Sequence, residues 1–231
     1  MPAYLLAVIF WDVKVIRGKQ IRYPIGNMDY ASLLEKIQSQ EIVVLDTRNN
    51  HDFMKAHIPG SVNAPFSAYG WARSIKSWLD GTKIALGLVA ETHEIGAKAA
   101  EELKKVDLEV VEAISDSLAK WKEDGQPISS VGEMAPDDLY REFDRYTVID
   151  VREPYEWQSG TIKNSLKIPM NELPSRLDEF NKSDRYAIVC AHGNRSEIAA
   201  LFLADNGLNV ANVLGGMQRW ISEQLPIEFE E

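Results

Sequence analysis

The chain has 231 residues, 45% apolar and 26% charged, an ordinary globular composition that provides for a hydrophobic core and excludes a disordered polymer. Its formal net charge of −10 comes without any run of five or six basic residues, so neither nucleic acid nor an anionic membrane surface is expected as a partner. A single cysteine, Cys190, excludes an intrachain disulfide and fits a reducing, cytoplasmic setting.

Taken in chain order, the apolar stretch Tyr4 to Trp11 is too short to span a bilayer and lacks the positive start of a secretory signal. Residues 1–27 read as a β-hairpin turning at Arg17 to Gln20, either an edge packed on the first domain or a contact between copies. From Met28 onward the chain is written twice. The run "VVLDTRNNHDFMKAHIPGSVNAPFS" from Val43 aligns without a gap on "TVIDVREPYEWQSGTIKNSLKIPMN" from Thr147. Asp46 falls on Asp150, Arg48 on Arg152, Ile58 on Ile162 and Pro65 on Pro169, each pair 104 positions apart. Each run follows an amphipathic helix, "MDYASLLEKIQSQ" in one copy and "MAPDDLYREFDR" in the other. Each copy closes alike, with "KWKEDGQPI" matched by "RWISEQLPI".

In the second copy the predicted strands are "TVIDV", "SLKIP", "YAIVC" and "NVANVL". Helices are predicted at Pro154–Gln158, Asn171–Phe180, about Arg195–Asp205 and Met217–Gln224. Apolar strands without period-two alternation, separated by helices, indicate a parallel sheet covered on both faces. The fold class is therefore α/β, with domains over 28–128 and 133–228 and a polar seam at Pro127 to Glu133.

Cys190 is placed where the strand "YAIVC" ends and the helix beginning near Arg195 starts. In open α/β sheets this crevice is where ligands bind. Unpaired amides at the helix start and in the tight turn at Gly193 can converge on an anion above the sulfur. The same partial charge, with Arg195 nearby, favours thiolate over thiol. The bland alternative is a small apolar residue ending a buried strand. That role has no need of the six small or polar residues "AHGNRS" that lead into the helix.

The sequence resembles the rhodanese family of sulfurtransferases, which carry a sulfane sulfur as a cysteine persulfide. "CAHGNRS" is similar to the family's active loop, "FMKAHIPGSVNAP" to its first signature, and "NVLGGMQRW" followed by "LPI" to its closing one. The resemblance covers nearly all of the chain from about residue 28, as two tandem rhodanese-like domains. It implies Cys190 as the persulfide carrier, and Ala191, His192, Gly193, Asn194, Arg195 and Ser196 as the loop holding the outer sulfur. Asp150 and Arg152 match a structural Asp-x-Arg pair. The implied reaction is a ping-pong transfer from a donor such as thiosulfate or mercaptopyruvate to cyanide, a thiol or a sulfur-accepting protein, with no cofactor and no metal. Cys-x4-Arg is one residue shorter than the loop of related phosphatases and arsenate reductases, which remain a rival reading beside a binding module with little turnover. His192 is either a donor-steering group or an exposed loop residue. The first copy carries Glu91 and Glu94 in place of a cysteine loop and Ser115 to Ser117 near its missing Gly-Gly. It is expected to be catalytically silent and to shape or shield the second site. Thr161, standing where the first copy has His57, is expected to affect packing more than chemistry.

Overall fold

The computed structural model describes residues 29–229 except 68, 80, 81, 83 and 117. The hairpin expected over residues 1–27 lies outside the described residues. The chain divides into two compact units between Ser129 and Ser130.

The first unit runs α1 (Tyr30–Gln38), β1 (Ile42–Asp46), α2 (Asn50–Lys55), β2 (Val62–Asn63), α3 (Trp71–Leu79), β3 (Ala85–Val89), α4 (His93–Lys104), β4 (Val110–Ile114) and α5 (Ala119–Glu123). Its sheet has the order β2-β1-β3-β4, and every pairing is parallel. Adjacent residues of β1 enter different cores, as parallel strands covered on both faces require. Leu45 packs with Ile75, Leu86 and Leu103, while Val44 packs with Leu33, Ile58 and Trp121. Helix starts follow local chemistry: the Asp29 side chain accepts from Ser32 N and that of Asn49 from Asp52 N, each satisfying an amide that the helix leaves unpaired.

The second unit runs β5 (Gly132–Met134), α6 (Pro136–Arg141), β6 (Thr147–Asp150), α7 (Pro154–Trp157), β7 (Leu166–Lys167), β8 (Arg185–Val189), α8 (Asn194–Asp205), β9 (Asn209–Val213) and α9 (Gly216–Ser222). Its five strands lie in the order β5-β9-β8-β6-β7, again all parallel. The sequence is thus α/β in both halves, as its alternating pattern implies.

The helical segment expected over Asn171–Phe180 is a 3₁₀ helix at Met170–Glu179, with Pro174 inside it. Proline lacks the N–H of an α-helical ladder, and its ring clashes with the carbonyl four residues back.

The repeat extends to single hydrogen bonds. Trp121 Nε1 donates to Pro127 O and Trp220 Nε1 to Pro226 O, both at 2.9 Å. His57 bridges to Ser129, and Thr161 bridges to Glu228 in the same antiparallel manner. Both bridges are made by backbone, so the change of side chain leaves the pairing intact. In the first unit the imidazole stacks on Phe53 at 4.2 Å and contacts its carbonyl at 2.9 Å. Among the described residues, no helix is long and apolar enough to cross a membrane.

Candidate active site

Cys190 leaves the C-terminal end of β8, the strand between β9 and β6. Its side chain is 1% exposed. The sulfur is nevertheless in polar company: Gly193 N donates to Sγ at 3.1 Å, and Ser196 Oγ lies 3.4 Å from it. Gly193 is the residue before α8 and has φ +98, a left-handed conformation that glycine adopts at little cost. A side chain there would also stand 3.1 Å from Gly215 N. This one residue turns the chain from strand to helix and aims its amide at the sulfur.

The other wall of the loop is the start of α9. Met217 N donates to Cys190 O at 2.8 Å and Gln218 N to Ala191 O at 2.9 Å. In a trans peptide the N–H points opposite to the C=O. Fixing these two carbonyls toward α9 therefore turns the amides of Ala191 and His192 away from it. The approach is so close that a Cβ on Gly216 would lie 2.2 Å from Cys190 O. The Gly-Gly pair is the condition for this contact.

Arg195 makes its hydrogen bonds to Glu156 rather than to the sulfur. Its Nη1 and Nη2 donate to Glu156 Oε2 and Oε1 at 2.6 and 2.7 Å. The pair holds the Glu156 carboxyl below the usual carboxylate range, chiefly through the Arg195 hydrogen bonds, and keeps the guanidinium protonated. Glu156 Oε2 also accepts from Glu153 N at 3.1 Å, closing a capping box on α7. Glu156 was not singled out from sequence; its place three residues after Glu153 marks the cap but not the partner 39 positions away.

Asp150 and Arg152 lie beneath this pair, 0% and 3% exposed. Arg152 Nε and Nη2 donate to the Asp150 carboxylate at 2.9 and 2.7 Å. The same guanidinium donates to Glu156 O at 3.1 Å and Gly160 O at 2.8 Å. It ties the end of β6 to α7, so this pair supports the residue that grips Arg195. Asp46 and Arg48 repeat the arrangement in the first unit, with Arg48 reaching Ala56 O.

Of the remaining loop residues, Ala191 is half-buried, while His192 and Asn194 are exposed. A second residue absent from the sequence reading is Asn212 on β9, 2% exposed, whose Oδ1 lies 2.7 Å from Ser196 Oγ. The signal was available: it is an asparagine inside the apolar run "VANVL".

The first unit has no equivalent pocket chemistry at this place. Three residues (90–92) separate β3 from α4, against four (190–193) between β8 and α8. Ala90 stands where Cys190 stands, and the Thr92 hydroxyl accepts from Ile95 N at 3.3 Å, occupying an amide at the helix start. Glu94 turns to Lys98 at 2.6 Å.

Known proteins match stretches of this chain of about one unit's length. A sulfurtransferase of Allochromatium vinosum is 36% identical over 85 residues, which are 36% of this chain and 79% of that protein. The thiosulfate sulfurtransferase GlpE of Pseudomonas syringae is 31% identical over 74 residues, 32% of this chain and 70% of its own. The crystal structure of a rhodanese-related protein from Thermoplasma volcanium is 44% identical, covering 43% of this chain and 99% of that one with a TM-score of 0.42. The rhodanese-like domain matches twice, over residues 29–124 and 135–223. With both matches together spanning most of its length, the chain belongs to the rhodanese-like domain family as a tandem member.

Proposed function

We propose that this protein is a sulfurtransferase whose second unit carries a sulfane sulfur on Cys190. The observation that supports the reading best is the sulfur's position at the junction of β8 and α8, accepting from the Gly193 amide and beside the Ser196 hydroxyl. Donors aimed at a sulfur favour its thiolate form, which is the nucleophile.

With thiosulfate as donor, the Cys190 thiolate attacks the outer sulfur. The S–S bond of the donor breaks, its electron pair leaves with sulfite, and Cys190 holds the persulfide. An acceptor nucleophile, cyanide or a thiolate on a small molecule or protein, then attacks the outer sulfur and the electron pair of the Cys190 S–S bond returns to Sγ. No cofactor enters either step. Mercaptopyruvate is the second donor to test. Ala191, His192, Gly193, Asn194, Arg195 and Ser196 form the loop around the transferred sulfur, with Asp150 and Arg152 supporting it from below. Because Glu156 occupies Arg195, that guanidinium acts as a structural strut at the loop rather than as a free anion receptor. The first unit, with Ala90 in the cysteine's place, is silent in this chemistry. A lone free thiol fits a reducing compartment such as the cytoplasm.

The test is the intact mass of the protein after incubation with thiosulfate. One added sulfur is expected, lost on adding cyanide and absent in Cys190→Ser. If no donor among thiosulfate, mercaptopyruvate and glutathione persulfide adds sulfur, the reading fails and a binding module takes its place. Aryl-phosphate turnover dependent on Cys190 would instead favour phosphatase chemistry.

A further inference from the structure

Ser196 Oγ carries one hydrogen and has three acceptors in reach: Asn212 Oδ1 at 2.7 Å, Gly193 O at 3.0 Å and Cys190 Sγ at 3.4 Å. It can serve only one of them at a time. Asn212 is registered opposite Ile188 of β8, two positions before the cysteine. Its neighbours Ala211 and Val213 are buried and apolar, and Ser196 is itself 0% exposed. A carboxamide enclosed this way needs a partner, and the one it faces is the hydroxyl beside the sulfur.

The first unit lacks all three groups together. Leu88 pairs with Ala113 there, as Ile188 pairs with Asn212. The third residue of α4 is Ile95 where the third of α8 is Ser196, and Ala90 replaces Cys190. Amide and hydroxyl accompany the cysteine, although the parallel sheet forms without them.

We propose that Asn212 is a positioning residue that acts through Ser196 to match the hydrogen-bonding of Cys190 to its charge. Half a rotation of the carboxamide exchanges its oxygen for its nitrogen at the face toward Ser196. With the oxygen facing, the hydroxyl hydrogen goes to Asn212, and the sulfur keeps the Gly193 amide. With the nitrogen facing, Asn212 donates to Ser196 Oγ and the hydroxyl hydrogen goes to Sγ. A charged sulfur favours the second arrangement because hydrogen bonds to ionised acceptors are the stronger. The attacking thiolate and the thiolate regenerated on acceptor attack both gain this donor. In the persulfide the charge moves to the outer sulfur, and the inner sulfur competes less for the hydrogen. The inference rests on Cys190 acting as a thiolate nucleophile, as proposed above.

The test is the rate of alkylation by iodoacetamide, followed by intact mass; the chain's single cysteine makes this a reading of Cys190 alone. Wild type, Asn212→Leu, Ser196→Ala and the double variant are compared at pH 6 and pH 10. Asn212→Leu removes the donor that turns the hydroxyl hydrogen toward Sγ and leaves it to the nearer Gly193 O, so alkylation is expected to slow about tenfold at pH 6, the worth of one hydrogen bond to a charged group. At pH 10, where bulk base removes the proton, it should stay within about twofold of wild type. Ser196→Ala should behave alike, and the double variant should be no slower than either single one. A merely structural role would not confine the effect to low pH or remove it in the Ser196→Ala background. Should Asn212→Leu fail to fold, Asn212→Asp carries the test: its carboxylate is expected to hold the hydroxyl hydrogen and slow the pH 6 rate at least as much. The inference is overturned if the variant that folds matches wild type at pH 6, or slows the Ser196→Ala protein by the full factor. Alkylation needs no sulfur transfer. A wild type that shows this pattern yet takes up no sulfur retires the proposed function and leaves the role of Asn212 standing.

Discussion

Arg195 and Glu156 are 39 residues apart in the chain and meet through two hydrogen bonds of 2.6 and 2.7 Å. Their side chains are 32% and 17% exposed, so the pair is partly shielded and geometrically favourable. The Glu156 carboxyl is held below its ordinary value, first by the Arg195 hydrogen bonds. A carboxyl lowered in the folded state stabilises the fold above the unfolded value and loses that contribution as pH falls through the lowered one. Glu156→Gln is therefore expected to cost about 1 kcal/mol at pH 7. The difference from wild type should shrink as pH is lowered below about 4.5, the ordinary value for this group. Urea unfolding midpoints of both proteins across that range check the sign.

Gly216 is where the closing motif touches the cysteine loop. A Cβ at this φ of +56 would lie 2.2 Å from Cys190 O and 2.9 Å from His192 N. Both obstacles are backbone and cannot be relieved by a side-chain rotation. Gly216→Ala should destabilise the second unit by about 2–4 kcal/mol through overpacking and left-handed strain. Sulfur uptake should fall further than stability accounts for, because the loop itself must shift. Thermal unfolding and the sulfur-loading mass measurement, made below the transition, separate the two effects.

Arg152→Met leaves the Asp150 carboxylate, 0% exposed, without its guanidinium. Removing one partner of a buried pair costs about 3–5 kcal/mol. The matching Arg48→Met acts on Asp46 in the same geometry in the first unit. Each variant is expected to lower the stability of its own unit, but only Arg152→Met should slow sulfur uptake, since Arg152 also holds Glu156 O. Urea titrations and sulfur loading of the two variants give the comparison.

Restoring a cysteine to the first unit should not restore chemistry. Ala90→Cys in a Cys190→Ser background places a thiol at the end of β3, where the loop is one residue shorter and Thr92 already takes the Ile95 amide. No sulfur uptake from thiosulfate is expected by intact mass. Uptake comparable with wild type would show that the cysteine alone is sufficient and the loop is not.

Much of the architecture was legible because it was written twice. Within the runs from Val43 and Thr147 the 104-residue spacing marks which residues are equivalent, and equivalent residues make equivalent contacts, as Asp46 with Arg48 and Asp150 with Arg152 do. The helical segment around Pro174 was legible as well, but its 3₁₀ form was not, because the effect of one proline on the turn is settled by its surroundings.

What the sequence determined by itself is local: a strand that runs up to Cys190, a glycine able to turn left-handed after it, and a helix that leaves amides unpaired. Those follow from periodicity and from the conformational range of single residues. Only the tertiary structure decided which side chains meet the loop. Glu156 takes Arg195, and Asn212 on the adjacent strand takes Ser196, because parallel pairing brings together positions that no short-range pattern connects.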